Sequence, residues 1–113
     1  SMPIVLNNIF FESGKSELLP KSATEMQNLL TLLSDNPEIG IKLIGHTDDI
    51  GQEQDNLNLS EQRAKAVYTA LLDQGAAASR MAYEGRGETE PIADNTTSEG
   101  RAVNRRTEFI IVR

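Results

Sequence analysis

Hydrophobic positions along the chain change period several times, and each change marks an element. Residues 4–11 hold a short apolar run rich in Ile, Val and Phe, interrupted by Asn7 and Asn8, which predicts a first strand. Glu12-Ser13-Gly14-Lys15-Ser16 follows as a polar turn. Pro20 suits the first turn of a helix, and Ser22 with Glu25 has the spacing of a capping box. Ala23, Met26, Leu30 and Leu33 then recur at helical spacing until Ser34-Asp35-Asn36-Pro37 stops the helix. Ile39, Ile41 and Leu43 alternate with Gly40, Lys42 and Ile44, which predicts a second strand buried mainly on one face. Gly45 lets it turn sharply into His46-Thr47-Asp48-Asp49, and residues 50–56, nearly all polar, are expected to form a loop. A second helix is expected over 58–74, with Gly75 as its C-terminal cap. A third strand over 80–84 is broken by Gly85-Arg86-Gly87, and a loop over 88–95 contains Pro91. A short turn of helix over 97–101 and a closing strand over 107–112 complete the chain.

The order is β-α-β-α-β-(short α)-β. It predicts an α+β fold, an α/β sandwich with one four-stranded mixed sheet and helices packed on one face. Strands joined through full helices are expected to be parallel neighbours by right-handed crossovers, while the last strand, with no long helix before it, can run antiparallel. Residues 3–113 read as one domain, since 113 residues suit a single modest core. Ser1-Met2 reads as a cloning scar, so the natural chain is expected to extend further at the N-terminus.

Composition narrows the chemistry. A formal net charge of -6 argues against nucleic acid, which needs a basic face. With no cysteine there is neither a disulfide framework nor thiolate chemistry. No run reaches the roughly eighteen apolar residues of a membrane span. The arginines are uneven, with Arg80, Arg86, Arg101, Arg105, Arg106 and Arg113 all in the last third of an acidic chain.

One further arginine lies where an apolar residue belongs. At about 100° per residue with Leu59 at zero, Ala66, Ala70, Val67 and Leu71 fall between about -20° and about 120°, and Arg63 falls near 40°, inside that stripe. A guanidinium stays charged, so it must meet a carboxylate, carbonyls or a ligand. In the second turn it can lean back towards the loop that carries Asp48. Two readings follow. Arg63 is a structural partner of Asp48 or Asp49, or both groups face a cleft at the carboxyl end of the second strand. In the second reading Arg63 takes a carboxylate bidentately and Asp48 takes an ammonium, which selects an amino-acid head group.

The ordered set Asn8-Ile9-Phe10-Phe11, Gly45-His46-Thr47-Asp48, Asn56-Leu57-Asn58-Leu59-Ser60, Arg63-Ala64, Ser79-Arg80, Gly85-Arg86-Gly87, Pro91-Ile92-Ala93-Asp94-Asn95-Thr96, Gly100-Arg101-Ala102 and Asn104-Arg105-Arg106 covers nearly the whole chain. It resembles the OmpA-like C-terminal domain, shared by outer-membrane porin tails, the peptidoglycan-associated lipoprotein and the flagellar stator protein MotB. The resemblance implies non-covalent binding of peptidoglycan, usually through the diaminopimelate of its stem peptide. It implies no cofactor, and a periplasmic domain that anchors an outer-membrane or envelope protein to the cell wall. The domain is then not itself inserted in the membrane and is tethered by an N-terminal region. By matching position, Asp48 receives the ligand's ammonium and Arg63 its carboxylate. Thr47, Asn56 and Leu59 line the same pocket, and Arg105 frames its edge. Many members carry an aspartate after the first-strand phenylalanine, and Glu12 stands there in this chain.

Other chemistries are weaker. His46 with Asp48 and Asp49 offers three adjacent residues, which rarely complete a metal shell, and no calcium-loop pattern follows, so no metal is expected. His46 reads instead as structural, its ring bonding the elbow. Ser60 reads as a helix-start residue, since no second histidine exists to act as a base. Glu12 with Asp48 could form a glycosidase pair, but aromatics are 4% of the chain, too few for sugar platforms. Arg105 and Arg106 should point to opposite faces of the strand entry, and Arg101 is expected at the surface. The chain therefore reads as a binding module and not an enzyme. The alternatives are a protein-interaction domain of the envelope and, less favoured, a cell-wall hydrolase.

Overall fold

The sheet takes its shape from the last strand. A computed structural model describes residues 4–6, 9, 11 and 15–112. In it β1 (Ile4–Leu6), β2 (Gly40–Gly45), β3 (Met81–Gly85) and β4 (Thr107–Val112) form one sheet in the order β1-β4-β2-β3. β2 and β3 are parallel, as expected of strands joined by a full helix, with Gly45 opposite Gly85. β1 and β2 are not neighbours. β4 lies between them and pairs antiparallel with both, placing Phe109 opposite Ile4 and Leu43. The expected first crossover between adjacent strands therefore spans a gap that β4 fills.

Two helices, α1 (Ala23–Asp35) and α2 (Glu53–Asp73), pack on one face of this sheet. Met26, Leu29 and Leu33 of α1 and Val67 and Leu71 of α2 meet Leu6, Ile41, Leu43, Met81 and Phe109 in one core. The buried line of α1 runs through Leu29, whereas Leu30 is half-buried and Ala23 exposed. The expected capping box does not form. Pro20–Ser22 is a 3-10 turn, Ser22 has helical backbone angles, and its side chain makes no capping bond. At the other end, the Arg80 guanidinium donates to the carbonyls of Leu33, Asn36 and Ile39 at 2.8, 2.8 and 2.9 Å, tying the end of α1 to the start of β3.

α2 begins at Glu53, five residues before the expected start. Its polar first turn is exposed, and Glu53 and Asp55 complement the positive helix end, so polarity there marks an exposed turn of helix and not a loop. Gly75, at φ 101°, ends it as expected. The buried residues of α2 are Asn56, Ser60, Ala64, Val67 and Leu71. Arg63 flanks this line, half-buried, and does not sit at its centre. The line is small and polar at its start because the helix lies against glycine backbone. A Cβ on Gly45 would come within 2.2 Å of the Ser60 carbonyl oxygen, and one on Gly85 within 2.3 Å of the Glu61 nitrogen. Ser60, far from opening the helix, is buried inside it, accepting from Gly87 N at 2.9 Å and donating to Leu57 O at 2.8 Å.

The short helix α3 (Ser98–Asn104) runs three residues past its expected end. Thr97 caps it by accepting from Gly100 N at 2.9 Å. Its last residue, Asn104, is fully buried. Its Oδ1 accepts from Ile92 N and Ala93 N at 2.8 and 2.9 Å, and its Nδ2 donates to Ala93 O and Asn95 Oδ1 at 3.0 and 2.8 Å. One side chain thus fixes the preceding loop. Arg101, expected at the surface, is half-buried and donates to Asn95 O at 3.0 Å.

Candidate functional site

The elbow after β2 is held by the backbone on both sides. His46 N donates to Arg106 O, at the head of β4, and Thr47 N to Gly87 O, just past β3, both at 2.9 Å. The chain then turns, with Thr47 Oγ1 donating to Asp48 O at 2.8 Å and Ile50 N donating to Asp48 Oδ1 at 3.0 Å. Asn56, in the first turn of α2, closes the loop from behind. Its Nδ2 reaches Ile50 O at 3.0 Å, Glu88 Oε1 at 3.1 Å and Asp48 O at 3.4 Å. Asp48 is consequently a buried residue with a fixed carboxylate.

That carboxylate pairs with Arg105. Arg105 Nη1 meets Asp48 Oδ2 at 2.8 Å, across 57 residues of sequence. Arg63 approaches from α2, its Nε donating to Lys15 O at 2.9 Å and its guanidinium lying 5.1 Å from the centre of the Phe11 ring. Burial lowers the Arg63 pKa from the ordinary arginine value, and the charge of Arg105 adds to this, while Asp48 opposes it. The like charges of Arg63 and Arg105 thus oppose each other across the cleft they share, which an added anionic group would relieve.

Arg63 and Arg105 both line a cleft of about 480 Å3. It opens where β1 and β2 end and β4 begins, with Leu6, His46 and Thr107 among its walls. Arg106 also lines it, and Val5, Ile9, Ile92, Ala102 and Val103 make its apolar lining. Of the expected site residues, Arg63 and Arg105 line the cleft, and Asp48 reaches it through its pairing with Arg105. Thr47 and Asn56 stand behind them and spend their side chains on the loop. Leu59 is half-buried on α2, and neither it nor Thr47 nor Asn56 is among the described residues that line the cleft. Glu12 lies outside the described residues.

A second layer went unseen in the sequence. His46 does not bond the elbow. It is 2% exposed, and its Nε2 lies 2.6 Å from Glu108 Oε1 on the neighbouring strand. Glu108 Oε2 in turn accepts from Arg106 Nε at 3.0 Å, and Arg106 extends to Asn104 O and Glu90 O. Arg105 and Arg106, expected on opposite faces, both line the cleft, but they pair with different carboxylates, one with the elbow's aspartate and one with the carboxylate under its histidine. The available signal was Glu108 itself, a charge inside an otherwise apolar strand and two residues from Arg106. Burial would raise the Glu108 pKa, but the bonds from Arg106 and His46 outweigh it and hold the carboxyl below its usual value.

Burial lowers the His46 pKa below 6.5, helped by the charge of Arg106 and opposed by Glu108. The neutral ring then donates from Nε2, and Nδ1 has no partner among the described residues. The sign of the pH effect follows. The unfolded chain binds the proton first, so stability is full above about 6.5 and falls as pH drops from there towards the folded value, by at most about 1.4 kcal/mol per pH unit for one proton. We expect chemical denaturation to show this loss between pH 7 and pH 5. His46→Gln keeps a donor for Glu108 and does not titrate, so its profile over that interval should be flatter.

Comparison with known proteins agrees with this architecture. The OmpA family profile matches residues 10–105. The chain is 40% identical over 105 residues to the probable lipoprotein YiaD of Escherichia coli, covering 93% of this chain and 48% of that protein. It is 37% identical over 103 residues to the peptidoglycan-binding protein ArfA of Mycobacterium tuberculosis, covering 91% of this chain and 32% of that protein. The chain thus spans half or less of the length of these relatives. The crystal structure of the peptidoglycan-associated lipoprotein from Burkholderia pseudomallei superposes with a TM-score of 0.84 at 26% identity, covering 92% of this chain and 88% of that one. With the profile matching most of its length and the same fold in its relatives, the chain belongs to the OmpA family.

Proposed function

We propose that this domain, residues 3–113, binds peptidoglycan non-covalently through the diaminopimelate of the stem peptide and anchors an outer-membrane or envelope protein to the cell wall from the periplasm. The observation that carries this is that Arg63 and Arg105 line one cleft and that Arg105 is paired with Asp48. Asp48 receives the ligand's ammonium, and Arg63 takes its carboxylate through a planar fork that matches it. Arg105, already on Asp48, closes the edge. A free zwitterion needs both charges answered within a few ångströms, and peptidoglycan presents one at the unlinked end of diaminopimelate. The names of ArfA and the peptidoglycan-associated lipoprotein support peptidoglycan as the partner. Among the described residues, no helix is long and apolar enough to cross a membrane.

Charge-assisted bonds of about 1.5–3 kcal/mol each, offset by desolvation and lost motion, give modest affinity per site. Firm anchoring then comes from many sites on one polymer. The test is calorimetry with meso-diaminopimelate together with co-sedimentation on insoluble cell wall. The parent domain should bind in both assays. Asp48→Ala and Arg63→Ala, with unchanged circular dichroism, should each lose tenfold or more. Variants that bind like the parent would refute the two-charge pocket. Release of soluble fragments from the wall would identify a hydrolase instead.

A further inference from the structure

Beside the elbow lies a buried chain of three ionisable side chains that the proposed grip leaves unused. His46 Nε2 meets Glu108 Oε1 at 2.6 Å, and Glu108 Oε2 accepts from Arg106 Nε at 3.0 Å. Ile44 stands opposite Glu108 in the sheet, so His46, Ile44 and Glu108 share the face turned away from the core. The backbone closes the circuit, since His46 N donates to Arg106 O at 2.9 Å. His46 and Arg106 are thus tied twice, once through Glu108 and once directly. Asp48 stands two residues beyond His46 and Arg105 one residue before Arg106, and these two pair at 2.8 Å. The proposed grip is therefore built onto the double tie.

We propose that this chain is a proton-sensitive latch, in which neutral His46 holds the elbow to β4 and protonation of its ring weakens cell-wall binding. The latch presupposes the reading of Asp48 and Arg63 given above. His46 is 2% exposed, and its Nδ1 has no partner among the described residues. A proton there creates a buried N–H with nothing to accept it, and a cation where cations already gather. Arg105 and Arg106 from the entry to β4 and Arg63 from α2 line the same cleft as His46. Glu108 on β4 and Glu90 in the loop after β3 favour the proton, but Glu108 is already shared between His46 and Arg106. Parting the elbow from β4 lets water reach Nδ1, and it draws Asp48 away from Arg105. A ligand that needs both residues together therefore binds the neutral form, and by linkage its affinity falls as the ring takes up a proton. His46 and Glu108 are then positioning residues, which act on the ligand through Asp48 and Arg105.

The test is calorimetry with meso-diaminopimelate at pH 7 and pH 5, with circular dichroism checking the fold at both. His46 is the only histidine, and the probe's own carboxyl and amino groups keep their charges over this interval. Affinity of the parent should fall about threefold or more from pH 7 to pH 5. His46→Gln keeps a donor for Glu108 but does not titrate. Whatever its affinity at pH 7, its ratio between the two pH values should be about one. Proton NMR of the single imidazole reads the latch on the parent alone, since a saturating probe should lower the midpoint of the ring's titration by the reciprocity of linkage. Affinity that holds or rises at pH 5 overturns the latch. So does a midpoint that the probe leaves in place or raises, or a His46→Gln variant that keeps the parent's pH dependence. In each of these cases the parent still binds the probe, and the zwitterion reading stands. A parent that binds the probe at neither pH takes both down.

Discussion

Gly85→Ala is expected to destabilise the domain by about 3 kcal/mol or more and to abolish cell-wall binding. The added methyl would lie 2.3 Å from the Glu61 nitrogen and 2.4 Å from Ser60 Oγ. A flexible side chain could yield, but Glu61 N is backbone inside a helix. Relief therefore means lifting α2 from the sheet, and α2 carries Arg63. Gly45→Ala should act alike, since its methyl would meet the Ser60 carbonyl oxygen at 2.2 Å. Gly75→Ala is the control. It sits at φ 101° with nothing within 4 Å, so it should cost only backbone strain of about 1–2 kcal/mol and leave binding intact. Urea denaturation ranks the three, and co-sedimentation with cell wall reads the site. Equal losses for all three would refute the close approach of helix and sheet as the cause.

Asn104→Ala is expected to cost about 2–4 kcal/mol, because it strands several buried polar groups at once. The amides of Ile92 and Ala93 lose their acceptor, and Ala93 O and Asn95 Oδ1 lose their donor. Asn104→Asp separates the two halves of this set. Its carboxylate still accepts from both amides but turns an anionic oxygen towards Ala93 O and Asn95 Oδ1. Relative to the parent at the same pH, its deficit should shrink on acidification, as the protonated acid recovers a donor. Denaturant titrations at pH 7 and pH 4.5 check this. A deficit independent of pH would show that the donor half of the side chain contributes little.

Among the described residues, the pattern of apolar positions was enough to name the four strands and three α-helices, because each has its own period and its own breakers. The 3-10 turn Ala78–Arg80 was missed, and the first strand, observed over Ile4–Leu6, was drawn too long. It misled where polarity and burial part company. Ser60 is polar yet buried because glycines at 45 and 85 let α2 come close, and Asn56 is polar yet buried because its amide is spent on the elbow loop and Glu88. Counting only apolar residues therefore placed the buried line of α2 too near Arg63. The arginine was legible as an anomaly all the same, since a charge beside a buried line needs a partner wherever the line is centred. The pairing of Asp48 with Arg105 was not legible, for it depends on β4 lying beside β2, and sequence order does not give strand order. His46 and Glu108 were hidden for the same reason.

The placement of β4 also has a consequence in time. The strand made last occupies an interior position, so β1 and β2 stand apart, each with an unsatisfied edge, until the final few residues arrive. Arg105 arrives with them. During synthesis from the N-terminus, the domain cannot assemble the proposed grip until almost all of it has emerged, and a domain cut short at Asn104 keeps Asp48 and Arg63 but has no central strand to bring the cleft together. Non-local pairing of this kind slows folding. The grip proposed above is therefore available only once the whole domain has folded.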